Sequence, residues 1–146
     1  MNAQAEKTAQ VVHRLLDTAA ALERGLDNTL SLSRGVTFSE FRLLTNLQDA
    51  KQGLTRVSLA NKLAMSPSGV TRALKPLEKL GYVTTEKNKR DARQSLAKLS
   101  RGGHALLADV EPILTDFYEG LPVARLSDSE TAQLEEGLIG FRRSEQ

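Results

Sequence analysis

The stretch at residues 55–99, TRVSLANKLAMSPSGVTRALKPLEKLGYVTTEKNKRDARQSLAKL, decides the fold of this chain. Its first part predicts a short helix that Thr55 caps and that carries an apolar stripe of Val57, Leu59, Ala60 and Leu63. Ser66 and Pro67 predict that a second helix begins at Pro67, because the missing N–H of proline has no helical partner at that position anyway. The two helices are therefore separated only by a tight turn at residues 65–66.

The second helix has one apolar face and several polar ones. Its predicted buried residues, spaced by four, three and three, are Val70, Leu74, Leu77 and Leu80. Gly69 keeps the first turn slim, so that the backbone can approach another molecule closely. Gly81 ends the helix. The other faces present Ser68, Thr71, Arg72, Lys75 and Lys79.

The end of the stretch predicts a β-hairpin. Residues 82–86 are short and β-prone, and residues 95–99 can pair with them. Residues 87–94, KNKRDARQ, contain four cations and one acid and are too polar for a core, so they suit the tip of the hairpin. The order of helix, turn, helix and hairpin predicts a winged helix-turn-helix.

This stretch resembles the multiple-antibiotic-resistance regulator (MarR) family of bacterial transcription factors. The matching residues are SLANKLAMSPSGVTRALKPLEKLGYV at 58–83, Asp91-Ala92-Arg93 in the wing, and Leu99-Ser100-Arg101-Gly102-Gly103 after it. The resemblance depends on many spaced positions and covers roughly residues 36–106, whereas the flanking helices match only in length and placement. Pro76 departs from the polar residue usual at this point, and we expect it to bend the second half of the helix.

The resemblance implies a set of DNA-binding residues in the second helix. Arg72 and Thr71 are the first candidates for base contacts in the major groove, since arginine can bind guanine O6 and N7 together. Phosphates or base edges are expected partners for Ser66, Ser68 and Lys75, with Gly69 allowing close approach; Lys79, a turn further on, is a weaker candidate. The alternative for each is an ordinary solvated helix face.

The wing supplies the second set of implied contacts. Arg93 resembles the wing arginine that enters the minor groove, where narrow A·T-rich DNA has enhanced negative potential. We expect Asp91 to orient this or another arginine. Lys87, Lys89 and Arg90 supply attraction to phosphate without base preference. The alternatives are a flexible surface arginine and a merely solubilising hairpin tip.

The flanking sequences predict further helices. Residues 5–33 carry a stripe of Val12, Leu15, Leu16, Ala19, Leu22, Leu26 and Leu30, with Gly25 as a weak point. Capping boxes at Thr37–Glu40 and Ser127–Glu130 begin two others. A helix over about residues 101–120 is expected to kink at Pro112. The predicted inward-facing residues of the last helix are Leu134, Leu138 and Phe141.

These predictions give a mainly α single domain with a small β-hairpin wing over residues 1–146. Residues 36–100 form the expected DNA-binding lobe, and residues 1–35 and 101–146 form the expected dimerisation helices. Periodicity alone leaves open whether these apolar helices cover one another within one chain or interlock across a two-fold dimer. The family resemblance favours the homodimer, which would set two recognition helices about one DNA turn apart, roughly 34–36 Å.

Charge follows the same division. Residues 62–102 hold ten Lys/Arg and three Asp/Glu, a net of +7, although the whole chain is only +2. Residues 103–146 hold three and nine, a net of −6. The basic charge is thus concentrated in the expected nucleic-acid-binding segment. The chain has no cysteine, no long apolar run and no secretory pattern at its start, so we expect a cytoplasmic protein.

No catalytic motif is apparent, and we expect neither an enzyme nor a metal or cofactor site, since the two histidines, His13 and His104, have no cysteine beside them. The family resemblance implies a repressor that a small, often aromatic acid releases from its operator, with Leu16, Phe38, Phe41 and Phe117 as candidate pocket residues; plain core packing is the alternative. Two other classes stay open. One is a DNA-coating protein without sequence preference, and the other is a protein-interaction module that retains the fold.

Overall fold

The computed structural model describes residues 1–142 and is mainly helical with one small sheet. The helices are α1 (Ala3–Arg34), α2 (Phe38–Gln48), α3 (Arg56–Leu63), α4 (Pro67–Lys79), α5 (Arg101–Glu119) and α6 (Asp128–Ile139), with a short 3₁₀ helix at Pro122–Arg125. The strands are β1 (Leu54–Thr55), β2 (Val83–Lys87) and β3 (Ser95–Leu99). The predicted winged helix-turn-helix is confirmed.

Side-chain caps fix where the helices begin. The Thr37 and Ser127 boxes both close, with the glutamate three residues later accepting from the cap residue's own N–H. The hydroxyl of Thr55 accepts from the N–H of Ser58 at 3.1 Å and so begins α3. Because these bonds satisfy amides that a helix leaves unpaired at its start, the predicted starts of α2, α3 and α6 are confirmed.

The sheet is antiparallel in the order β1-β3-β2. Strand β2 pairs with β3 from Val83 opposite Leu99 to Lys87 opposite Ser95, which confirms the hairpin. The sequence did not predict β1, whose two residues pair with Ala97 and Leu96 of β3. Gly53 leads into β1 at φ +84°, and a Cβ there would lie 2.9 Å from the carbonyl oxygen of Ala97. Position 53 therefore requires glycine, because any side chain there would clash with strand β3.

Two compact units make up the chain. The core unit is Leu26–Leu114, and the terminal unit is Met1–Gly25 together with the chain from Thr115 onward. Every buried apolar residue among the described ones belongs to the core unit, where the largest are Leu30, Leu43, Leu44, Leu47, Leu59, Leu74 and Leu77. Within residues 1–142, no helix combines the length and apolar character needed to cross a bilayer.

Two residues predicted to be buried in the winged helix are exposed. Val57 is 57% exposed because it lies two residues from buried Leu59, on nearly the opposite side of α3. Leu80 is 58% exposed because it caps the end of α4, roughly 120° around the helix from buried Leu74.

The prediction that Leu134, Leu138 and Phe141 face inward is wrong for the single chain. These side chains are 40–44% exposed, and α6 has no buried residue. Leu16 and Leu22 of the predicted α1 stripe are also exposed, whereas Leu26 and Leu30 are buried. Helical periodicity identifies an apolar face but does not identify what covers it. The described residues of the terminal unit include no buried side chain, so these apolar faces are exposed in one copy of the chain. Residues 143–146 of the predicted dimerisation segment lie outside the described residues.

Candidate nucleic-acid interface

The first turn of α4 is exposed and fixed by its cap. The hydroxyl of Ser66 accepts from the N–H of Gly69 at 3.0 Å, and Pro67 occupies the first helical position, as predicted. Val70, Leu74 and Leu77 bury one face against the core. The opposite face leaves Ser66, Ser68, Arg72 and Lys75 exposed to solvent. The helix therefore presents hydroxyls and cations together on a rigid, packed support.

Thr71 and Gly69 differ from their exposed neighbours. Thr71 is half-buried, and its hydroxyl donates to the carbonyl of Pro67 at 3.1 Å, which leaves its lone pairs and methyl group for other contacts. Gly69 is half-buried as well, and a Cβ there would lie 3.2 Å from the capping hydroxyl of Ser66. Helix α4 is continuous through Pro76. The bend expected at Pro76 stays a prediction.

Hydrogen bonds close the tip of the wing. The N–H of Asn88 donates to the carbonyl of Gln94 at 3.0 Å, and their side chains bond to each other at 3.2 Å. Inside the loop, the N–H of Arg90 donates to the side chain of Asn88 at 3.0 Å. The tip therefore has a defined backbone conformation although its side chains are mostly exposed.

Asp91 holds the backbone beside Arg93. One carboxylate oxygen of Asp91 accepts the N–H of Arg93 at 3.1 Å and lies 4.0 Å from Nε of the same arginine. The Arg93 side chain is 95% exposed, so the ion pair itself contributes little to stability. The arrangement fits the expected orienting role of Asp91.

The remaining cations of the tip, Lys87, Lys89 and Arg90, are exposed. They line an open groove of about 570 Å³ with Lys98, which pairs with Glu86 at 3.3 Å. A smaller cavity of about 190 Å³ places Arg56 and Val57 beside Arg93. Arg56 and Lys98 were not predicted as site residues, because only the folded hairpin places them beside the wing tip.

The base of the wing is joined to α5 by a compact set of contacts. Ser100 accepts the N–H of Gly103 at 3.0 Å and donates its hydroxyl to the carbonyl of Gly81. The N–H of Ser100 donates to the carbonyl of Tyr82 at 3.0 Å. A Cβ on Gly103 would lie only 2.3 Å from that carbonyl oxygen. The Leu99–Gly103 motif thus fixes the wing and the end of α4 to the start of α5.

A second contact joins α4 to the wing. The hydroxyl of Thr85 on β2 donates to the carboxylate of Glu78 on α4. The helix and the hairpin that carry the predicted DNA contacts are therefore connected by side-chain and backbone bonds. The roles of Glu78, Ser100 and Gly103 could not be predicted from the motif that contains them, because their partners are distant in the chain.

The four candidate pocket residues belong to different units. In the core unit, Phe38 and Phe41 are half-buried and stacked, with ring centroids 6.1 Å apart, and the N–H of Phe38 donates to Asp27 at 2.7 Å. In the terminal unit, Leu16 is 60% exposed, and Phe117 packs so close to Gly25 that a Cβ there would lie 3.2 Å from its ring. Gly25, expected to weaken α1, instead makes room for an aromatic ring.

The exposed helix and braced hairpin define the class of this protein, a winged helix-turn-helix protein. Residues 34–94 match the model of the MarR family. The match and the structural similarities below confirm the resemblance to that family that the sequence indicated.

Several solved structures are similar over nearly the whole chain. A MarR family transcriptional regulator from Streptomyces coelicolor, in complex with DNA, is 25% identical with a TM-score of 0.85, covering 95% of this chain and 90% of that one. A mutant MarR from E. coli complexed with operator DNA is 26% identical with a TM-score of 0.80, covering 96% of each chain. The S. aureus MepR–DNA complex, at 21% identity, a TM-score of 0.78 and coverage of 90% and 93%, shares the fold. No curated protein matches the sequence.

Proposed function

We propose that this protein is a sequence-specific DNA-binding transcription regulator, acting as a homodimeric repressor of a pseudo-palindromic operator. The observation that carries the proposal is the combination, within one compact unit, of an exposed polar and cationic face on α4 and a wing tip in which Asp91 accepts the backbone N–H of Arg93. Two relatives at 25–26% identity were crystallised with DNA, one of them operator DNA.

Helix α4 would lie in the major groove. Its apolar face packs against the core, so the face that can contact base edges and phosphates is the one that carries Ser68, Arg72 and Lys75. A bidentate bond from Arg72 to guanine would supply roughly 1–3 kcal/mol of discrimination. Thr71, whose hydroxyl already donates within the helix, would contribute through its methyl group or as an acceptor.

The wing would lie against the adjacent minor groove. Arg93 is almost fully exposed at the end of a loop that hydrogen bonds hold closed, so the guanidinium can enter a narrow groove without ordering the backbone first. Lys87, Lys89 and Arg90 would add phosphate contacts that depend on salt but not on sequence. Arg56 joins this set because it shares a cavity with Arg93.

Assembly into a homodimer is supported by the terminal unit. Its described residues include no buried side chain, and most of the exposed large apolar residues among residues 1–142 belong to it: Met1, Val11, Leu16, Leu22, Tyr118, Val123, Leu134, Leu138, Ile139 and Phe141. Exposing so many apolar side chains in one unit is unfavourable unless a partner covers them. A second copy of the chain offers the same faces and would close a two-fold assembly.

Release by a small aromatic acid is part of the proposal. The stacked Phe38 and Phe41 pair is half-buried and so retains exposed aromatic surface in the core unit. The ligand would favour a spacing of the two DNA-binding lobes that no longer fits successive grooves. Benzoate is a suitable first probe, and Phe41→Ala should weaken its effect on DNA release while leaving DNA binding intact.

The DNA-binding proposal is tested by selecting bound sequences from a random pool at near-physiological salt. We expect a palindrome with half-sites about ten base pairs apart. Arg72→Ala should lower specific affinity and relax base preference at one position, whereas Lys89→Ala should weaken all sequences alike. Binding without enrichment would favour a DNA-coating protein, and no binding even at low salt would favour a protein-interaction module. Equal, sequence-blind losses in both variants would contradict the role of Arg72.

The dimer is tested separately by analytical ultracentrifugation. Leu138→Glu places a charge among the exposed apolar residues of α6 and should shift the protein toward monomer. Leu80→Glu is the matched control, because Leu80 is also an exposed leucine but lies at the end of α4 in the core unit. A dimer that survives both substitutions unchanged would exclude this face of α6 from the interface.

A further inference from the structure

Met65 is an exposed apolar side chain at the edge of the proposed DNA-binding surface. Among residues 36–100, the exposed large apolar side chains are Val57, Met65 and Leu80, and Met65 is 39% exposed. It lies in the turn between α3 and α4, just before the capping residue Ser66. The turn is made by Ala64 in the left-handed conformation, at φ 52°.

The methyl group of Met65 lies over the first turn of α4. A Cβ built on Gly69 would be 3.5 Å from Cε of Met65, in ordinary van der Waals contact. The absent side chain of Gly69 therefore leaves room beside the thioether. Three residues along a helix correspond to a rotation of roughly 60°, so Gly69 and the Met65 methyl border the face that presents Arg72.

Thymine is the DNA base that an apolar side chain beside α4 could recognise in the major groove. In the major groove, thymine alone presents a methyl group, on C5, and apolar side chains contact it. Methionine is flexible and polarisable, so it can adjust to such a contact. We propose that Met65 is a specificity-determining residue that covers a thymine 5-methyl group beside the bases contacted by α4. The inference rests on the proposed function, that is, on α4 lying in the major groove.

A purely structural role makes a different prediction. The residue before a helix cap often packs on the fourth helical residue, here Val70, and this contact stabilises the helix start. In that case Met65 would affect folding but not the choice of base. The two roles are separated by removing the thymine methyl instead of the protein side chain.

The experiment replaces each thymine of the selected site with deoxyuridine, which lacks only that methyl group. We expect wild-type affinity to fall roughly fourfold at the contacted thymine in one half-site, and about 15-fold when both half-sites are changed. Met65→Gln, similar in length but polar, should bind thymine and deoxyuridine sites equally. Met65→Leu should retain the preference, as should Leu80→Gln, the control at the opposite end of α4.

The outcomes separate this inference from the proposed function. A selected site whose thymines can all be replaced without loss overturns the inference alone. An unchanged thymine preference in Met65→Gln also overturns it, and a lower melting temperature in that variant would then assign Met65 to helix packing. Failure to select any site overturns the proposed function and the inference together.

Discussion

Replacing Gly103 with alanine should destabilise the protein because there is no room for a methyl group. The new Cβ would lie 2.3 Å from the carbonyl oxygen of Tyr82 and 2.4 Å from a methyl carbon of Leu99. The first distance is more than 1 Å short of the 3.4 Å at which ordinary contact begins. Because Tyr82 contributes a backbone atom, a side-chain rotation cannot relieve this clash. The first turn of α5 must move instead.

The magnitude follows from two opposing terms. Overpacking a filled site costs about 1–3 kcal/mol, and moving α5 also weakens the bonds around Ser100, worth about 1 kcal/mol each. Alanine in a helix gains about 1 kcal/mol over glycine. The expected net destabilisation is about 2 kcal/mol. For a chain of this size that corresponds to a melting temperature lowered by roughly 4–8 °C.

Gly102→Ala is the matched control. Gly102 precedes Gly103 in the same helical turn, but a Cβ there would approach its nearest atom, the carbonyl oxygen of Gly81, only to 3.2 Å. We expect the free energy of unfolding of this variant to lie within about 1 kcal/mol of the wild-type value. The higher helix propensity of alanine offsets the cost of a small shift away from the Gly81 carbonyl. Thermal unfolding followed by circular dichroism, at one protein concentration, compares the three proteins. A Gly103→Ala variant as stable as Gly102→Ala would refute the steric argument.

Three other predictions concern caps, the wing and pH. Ser66→Ala removes the α4 cap and should lower the free energy of unfolding by about 1 kcal/mol in denaturant titration; an unchanged midpoint would contradict the capping role. Asp91→Ala should weaken DNA binding although it removes a negative charge, because the amide of Arg93 loses its acceptor. Asp91→Asn keeps an acceptor oxygen and should retain affinity. Fluorescence anisotropy compares the variants, and tighter DNA binding by the alanine variant would show that charge repulsion dominates. Hydrogen bonds from the backbone and side chain of Ser127 hold the pKa of Glu130 below its ordinary value of 4.5. The ionised Glu130 therefore stabilises the folded protein above pH 4.5, and this contribution is lost as pH falls through the lowered pKa. The stability advantage of wild type over Glu130→Gln should accordingly shrink on acidification, and an advantage that is constant with pH would contradict this.

The sequence predicted the features that depend on neighbouring residues. Thr37, Ser66 and Ser127 cap helices because each bonds to an amide three residues away, a relation visible in the sequence. The hairpin pairing and the buried face of α4 are also local, repeating at the period of a strand or a helix. For the same reason, the sequence alone locates the first turn of α4 and the wing tip.

What the sequence did not predict depends on residues distant in the chain. Strand β1 has two residues, too few to show a pattern, and exists because β3 offers a free edge to it. The crowding at Gly103 arises from Tyr82, twenty-one positions earlier. The exposure of Leu134 and Leu138 depends on what covers α6, and periodicity identifies an apolar face without identifying its partner.

The contacts around Ser100 have a mechanical consequence. They connect three elements at one point: the glycine that ends α4, the base of the wing and the first turn of α5. A small rotation of that first turn cannot be absorbed there, because the carbonyl of Tyr82 already lies against the backbone of Gly103. The recognition helix and the wing would consequently rotate together as one rigid body. A signal that reorients the start of α5 would therefore change the position of both on DNA at the same time.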